Sequence, residues 1–467
     1  MKLISITLGL LIAGCTVPNP DFSERAMAGE QAAGEQAAGA QNLDQDEDGF
    51  IAPEDCDDTD AMVFPGQIEQ CDSKDNDCDS QVDEALDAPC FVRIHTIQAP
   101  DDVINLGDQL TLVGDLDQDG FDDALVRGQR NGRRRLIAMS AQGTILWAVN
   151  GDGAFATAVV GGDFLGDGSR QVIAADPEND RALIYNAEGM TLATFPINDG
   201  LIASLVKIST PELDLLALGI PERYVNGPNR ASGRIVVLKF SPALGLGRPE
   251  IIHVQDGLNA QEWGGRMFNV GDIDGDQVED LIFTRLINFA NRSDIGTQLM
   301  SGVDGATSSD SLYFTFDETY YSFATSFTYG RLTPGGGQGY IFGAPLVSQT
   351  ALEQGALYPL LTGPEGLYEG TPGYGLRDND ALGQSLATLP RPDRDTDLLL
   401  IGGQRAIVYQ DPSAGESDLL ASSDEQRQVG LGLAVSPRQL PDGTYRVWVS
   451  GRSGLLGESQ VWIYSAR

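Results

Sequence analysis

From residue 91 to the C terminus the sequence repeats, and this limits the fold more than any other feature. Short runs of small apolar residues ending in a turn recur near Asp115 and Asp163. They return at VKIST (Val206 to Thr210), VGD (Val270 to Asp272), YGRL (Tyr329 to Leu332), ATLP (Ala387 to Pro390) and AVSP (Ala434 to Pro437). Seven units over 377 residues give about 54 residues each, the scale of propeller blades. Each unit continues through an acidic or Gly/Pro turn to an apolar strand such as LIFTR, DLLLIGG or YRVWVSG. A third strand such as GRIVVLKF, RAIVYQ or SQVWIYSA follows. Such an array exposes sheet edges unless it closes on itself, so residues 91–467 are expected to form an all-β, seven-bladed β-propeller. The 56 glycines agree with many tight turns rather than long helices. The last unit has three strands and stops at Arg467, so FVRIHTIQ (Phe91 to Gln98) is expected to supply the fourth and close the ring. That makes His95 a structural strand residue.

Two of the turns carry chemistry. In DLDQDGFDD, Asp115, Asp117 and Asp119 stand at loop positions 1, 3 and 5, Gly120 at position 6 permits a sharp bend, and Asp123 at position 9 closes the ring. With the position-7 carbonyl of Phe121 and water, these oxygens form a cage for a hard cation such as Ca²⁺, which takes about 6 to 8 oxygen ligands. An acidic turn without an ion is the alternative for one isolated copy. DIDGDQVED repeats the spacing with Asp272, Asp274, Asp276 and Asp280, and with Val278 at position 7. DFLGDGSRQ keeps only Asp163 and Asp167, a possible weak site.

Ahead of the repeats lies an acidic stretch, residues 43–90. Between Asp44 and Cys90 there are 17 acidic residues against Lys74 alone. Asp44, Asp46, Asp48, Gly49 and Asp55 occupy positions 1, 3, 5, 6 and 12 of an EF-hand-like loop, with the Phe50 carbonyl available at position 7. Asp75, Asp77, Asp79 and Asp83 repeat the 1, 3, 5, 9 spacing. Cys56, Cys71, Cys78 and Cys90 form an even set, expected as two disulfides with three pairings open; a thiolate metal site is the alternative. Such links, at about 2 to 4 kcal/mol each, suit a module with few apolar residues.

This stretch resembles the metal-binding motif of MopE-like bacterial surface proteins. The matching residues are Asp55-Cys56-Asp57-Asp58, Pro65-Gly66, Glu69, Cys71-Asp72, Asp75-Asn76-Asp77-Cys78-Asp79 and Val82-Asp83-Glu84. Glu47 and Ser80 depart from it at glycine-type positions. The family label suggests copper, whereas hard carboxylates without a histidine between Asp44 and Cys90 argue for Ca²⁺. Residues 91–467 resemble the FG-GAP repeats of the integrin α-chain propeller: Gly343-Ala344-Pro345 matches the GAP half and Leu382-Gly383-Gln384-Ser385 resembles the FG half. The resemblance implies that cations staple first-to-second strand hairpins on one face while ligands meet the other. Units with PELD, TPGGGQ, PRPDRDTD or RQLPDG in place of the acids are not expected to bind calcium.

Residues 1–15 read as a lipoprotein signal peptide, with Lys2, the apolar run Leu3 to Ile12, and Ile12-Ala13-Gly14-Cys15 resembling the bacterial lipobox in which the cysteine is lipidated. Residues 16–42, rich in Ala, Gly, Glu and Gln with no apolar periodicity, read as a disordered tether. The implied location is the cell envelope, on the outer membrane or cell surface.

The net charge of −38 excludes nucleic acid as a natural partner. Two histidines and the absence of GxSxG or HExxH leave no catalytic constellation, so the expectation is a calcium-binding, lipid-anchored surface binding or adhesion protein. A propeller-based extracellular enzyme acting on polysaccharide is the alternative. Partners would be the membrane and an unknown protein or glycan. The aromatic run Tyr313 to Tyr329 is either a carbohydrate platform or blade core, and inserts at Glu222 to Gly233 and Arg285 to Gln298 are candidates for the ligand face.

Overall fold

The computed structural model describes residues 44–467 except 85, 87–88, 101–102, 108, 198–199, 223–231, 242–244, 259–260, 290–291, 308–311, 315–322, 334, 349–352, 364–365, 375–379, 404–405, 412–415, 423–427 and 454–457. The signal peptide, Cys15 and the tether lie outside them. Two compact units are present, one up to Ala88 with Pro441–Gly443, the other spanning Pro89–Leu440 and Thr444–Arg467.

The larger unit is all-β, and a three-residue 3₁₀ turn at Pro177–Asn179 is its one helical element among the described residues. Its strands form seven antiparallel sheets in chain order. Blade 1 runs from Leu110–Gly114 through Asp123–Arg130 and Arg133–Met139 to Ile145–Gly151, and blade 2 from Val159–Gly162 to Thr191–Pro196. Blade 3 spans Ser204–Ser209 to Glu250–Asp256, blade 4 Met267–Asn269 to Leu312–Phe314, blade 5 Ser326–Thr333 to Gly366–Glu369, and blade 6 Ser385–Leu389 to Glu416–Ser422. Blade 7 takes Gln428–Val435, Tyr445–Ser453 and Glu458–Ala466, and its fourth strand is Phe91–Gln98. The register runs from Phe91 opposite Ala466 to Gln98 opposite Gln460, and Cys90 and Arg467 exchange both backbone hydrogen bonds at 3.1 Å. The N-terminal strand thus closes the ring, as the strand count required. His95 packs its ring against the turn at Gly143.

Each of the seven seams between neighbouring blades holds its own apolar cluster, because alternate residues of every strand point to opposite sheet faces. At the closing seam, fully buried Trp448 and Ile463 of blade 7 meet Val126, Ile137 and Met139 of blade 1. A large apolar side chain so buried contributes about 1.5 to 3 kcal/mol. Glycines let consecutive blades touch through backbone: Gly219 lies against the Gly264 carbonyl and Gly343 against that of Gly383. Beside them the hydroxyls of Ser204 and Ser326 donate to those same carbonyls at 2.7 Å.

Two expectations resolve here. Of the aromatic run, Phe323, Phe327 and Tyr329 belong to the blade 4–blade 5 core, with Phe327 stacked on Phe268 at 4.7 Å; residues 315–322 lie outside the description. The stretch Arg285 to Gln298 is no insert loop. It continues two nine-residue strands, paired from Leu281 opposite Met300 to Phe289 opposite Arg292. Most of the Glu222 to Gly233 insert lies outside the described residues.

The smaller unit has few apolar contacts. Val63 is buried, Phe50 stacks on Phe64 at 5.3 Å, and Cys56 is bonded to Cys78. Cys71 and Cys90 are disulfide-bonded as well, which removes the thiolate alternative.

Candidate metal centres

Five loops share one backbone. At positions 4 and 6, left-handed φ values recur at Glu47 and Gly49, Cys78 and Ser80, Gln118 and Gly120, Gly166 and Gly168, and Gly275 and Gln277. The cause is the first aspartate. Its Oδ2 accepts the position-6 N–H in every loop: Gly49 to Asp44 (3.0 Å), Ser80 to Asp75 (2.8 Å), Gly120 to Asp115 (3.0 Å), Gly168 to Asp163 (2.8 Å) and Gln277 to Asp272 (2.9 Å). The position-5 Oδ1 accepts the N–H of position 7, as in Phe50 to Asp48, Phe121 to Asp119 and Val278 to Asp276. These bonds turn the chain so that the carboxylates share one side of the bend.

In the propeller the three hairpins differ at the acids. Asp115, Asp117 and Asp123 bring ligand atoms within 4.8 Å of one another. Asp123 is fully buried; its Oδ2 accepts the N–H of Leu116 at 2.7 Å and its Oδ1 that of Ala141 at 3.1 Å. Burial, opposed by those two hydrogen bonds and reinforced by the charges of Asp117 and Asp119, pushes its pKa up to about 7. Burial likewise raises Asp119 and Asp280, helped by the neighbouring acids. Asp280 caps Ile273 and Gly302 in the same way, and Asp272, Asp274 and Asp276 form its loop. At Asp163 the backbone is preserved without a cage. Leu165 stands at position 3, and Gln171 accepts the Phe164 N–H at 2.9 Å where the others use an aspartate. Asp167 is turned to Ser169, whose hydroxyl lowers its pKa.

In the smaller unit Asp44, Asp46 and Asp48 converge within 4.8 Å. Asp46 Oδ2, Asp48 Oδ2 and Asp55 Oδ2 are buried and accept no hydrogen bond among the described residues. Asp55 is only 4 % exposed. Burial and the charges of Asp48, Asp55 and Asp44 raise the Asp46 pKa. Unsatisfied buried carboxylate oxygens are costly unless a cation meets them, so this donor set fits a hard divalent ion.

Around Asp75 the fold adds donors to the loop. Asp83 is buried and its Oδ1 accepts the N–H groups of Asp72 (2.8 Å) and Ser73 (3.1 Å). Asp75 and Asp77 come together with Glu69, and Asp77 and Asp79 with Glu84. Glu69 accepts the N–H of Asp77 at 3.0 Å and of Asp83 at 2.7 Å, and burial raises both glutamates. Loop spacing cannot find ligands from outside the loop. A signal existed, however, since both glutamates belong to the motif quoted above. Spacing also missed Asp122 and Glu279 at position 8, which reach back to the preceding blade: Asp122 accepts from the Ser436 hydroxyl, Glu279 from Ser209 N–H at 2.6 Å.

Residues 55–84 match the family model Cu-binding MopE, described as "Putative metal-binding motif". No curated protein matches the chain. The matched segment holds Asp55, the Asp75 loop, both glutamates and the Cys56–Cys78 disulfide. It is a metal-binding motif joined to a β-propeller.

Proposed function

We propose that this chain is a calcium-binding protein of the cell envelope, held by a lipid on Cys15, whose FG-GAP-like propeller is a non-catalytic scaffold for a protein or glycan ligand. The observation that carries the cation is the set of buried oxygens on Asp46, Asp48 and Asp55 that have no hydrogen-bond partner among the described residues. Calcium rather than copper follows from the donors, because neither histidine lies within residues 44–90 and the cysteines are disulfide-bonded. The FG-GAP relation draws support from the Gly343–Gly383 contact, which joins the GAP and FG matches across adjacent blades.

The test is titration of EDTA-stripped protein with Ca²⁺ and, separately, with Cu²⁺. Calcium should bind with a Kd of about 10⁻⁴ to 10⁻³ M or tighter and raise the melting temperature. Copper binding without calcium binding sinks the assignment. Cys15→Ser should move the protein from the membrane to the soluble fraction. A glycan and surface-protein binding screen tests the scaffold role, and turnover of polysaccharide would replace it with the enzyme reading.

A further inference from the structure

The inner strands of all seven blades enclose a central cavity of about 810 Å³. Among the described residues, its charged side chains have partners with one exception. Arg331 holds Asp397 through Nε at 3.1 Å and Nη2 at 2.5 Å, and Lys207 lies 3.9 Å from Asp214. Glu279 is taken up by Ser209 N–H and by the Asn269 side-chain amide, each at 2.6 Å. Arg266 also lines the cavity, and its guanidinium has no acceptor among the described residues. Water reaches it, but the surrounding protein desolvates it enough to lower its pKa.

Backbone register locates Arg266. The carbonyls of Gln109, Ala158 and Arg266 accept the N–H groups of Arg127, Ala175 and Thr284, so these residues occupy one level at the starts of three inner strands. Each inner strand runs toward its hairpin, so Arg266 stands at the opposite end of the channel from the acidic loops. Phe268, two residues on, shares its side of the strand and lines the cavity with Phe327, on which it stacks.

We propose that the channel mouth at Arg266 binds a small organic carboxylate, its oxygens on the guanidinium and its apolar body toward Phe268 and Phe327. A guanidinium offers a fork that a carboxylate fills with two parallel hydrogen bonds. The cavity volume falls in the range of small-molecule sites. A polyanionic macromolecule is disfavoured by the net charge of −38, whereas a small anion needs only local complementarity. This site is independent of the metal loops and of the scaffold reading.

The experiment is calorimetric titration of the full chain with sodium benzoate and, separately, with inorganic phosphate at fixed ionic strength. Benzoate should saturate in the millimolar range, weaken tenfold or more in Arg266→Gln, and be partly restored in Arg266→Lys. Because Arg266 has no acceptor to lose among the described residues, Arg266→Gln should melt at or above the wild-type temperature. Absence of benzoate binding, equal binding to Arg266→Gln, binding of phosphate alone, or a clearly lower melting temperature for Arg266→Gln would each overturn the assignment.

Discussion

Asp123 carries the sharpest residue-scale consequence. Its folded pKa of about 7 lies above the ordinary carboxylate value of 3.8. Between those values the folded, metal-free protein keeps a proton that the unfolded chain has released. Stability therefore falls as pH rises from about 4 to 7 and levels off above. A bound cation holds the group ionised and removes the slope. Melting curves of wild type and Asp123→Asn, with EDTA and with Ca²⁺, should differ in pH dependence only in EDTA; parallel curves there would refute the point. Glu47 and Ser80 stand in left-handed backbone at φ 67° and 75°, where a side chain is strained. Glu47→Gly and Ser80→Gly should each stabilise by roughly 0.5 kcal/mol, offset in part by glycine's greater unfolded entropy, as denaturant midpoints will show. The loop aspartates were legible because their ligand geometry is local. Glu69 and Glu84 were legible only as members of the motif and not from loop spacing, because the fold of the smaller unit carries them in from outside the loop.

Among the elements, the hairpins and glycine seams make separable predictions. The blade 1 hairpin is tied to blade 7 by Asp122 and Ser436 and by Arg446 lying 5.1 Å over the Phe121 ring, and the blade 4 hairpin to blade 3 by Glu279 and Ser209. EDTA should therefore speed amide exchange in residues 115–123 and 272–280. Residues 163–171 should be unaffected, since Gln171 supplies a neutral cap and Leu165 removes a ligand. Equal acceleration of all three would show that the cation does not brace its hairpins. At the seam, a Cβ on Gly343 would collide with the Gly383 carbonyl and the Ser326 hydroxyl. Gly343→Ala should cost about 1 to 3 kcal/mol by overpacking, read from chemical denaturation.

The ring as a whole depends on a strand from the far end of the sequence. Phe91–Gln98 covers the edge of Glu458–Ala466 and places Ile97, 4 % exposed, in the closing cluster. Removing everything through Gln98 leaves that edge open and the seam unfilled. The truncated protein should lose its cooperative thermal transition and elute from size exclusion as higher aggregates. A monomer with unchanged melting would show that closure is dispensable. That this strand completes the last blade could be read from counting, because three strands remained at one end and one alternating segment at the other.

What the sequence by itself determined is whatever depends on neighbours along the chain: strand alternation, the repeat length, the hairpin acids, and the ring that must hide its edges. The tertiary structure alone decided what depends on neighbours in space. It paired Cys56 with Cys78, drew Glu69 and Glu84 to the Asp75 loop, and turned Asp83 to cap Asp72 and Ser73. It also placed Arg266 in the channel lining, with no acceptor among the described residues. The physical reason is common to all of these. Loop spacing controls how carboxylates a few bonds apart converge, whereas the partner of a buried charge is set by which segments pack together.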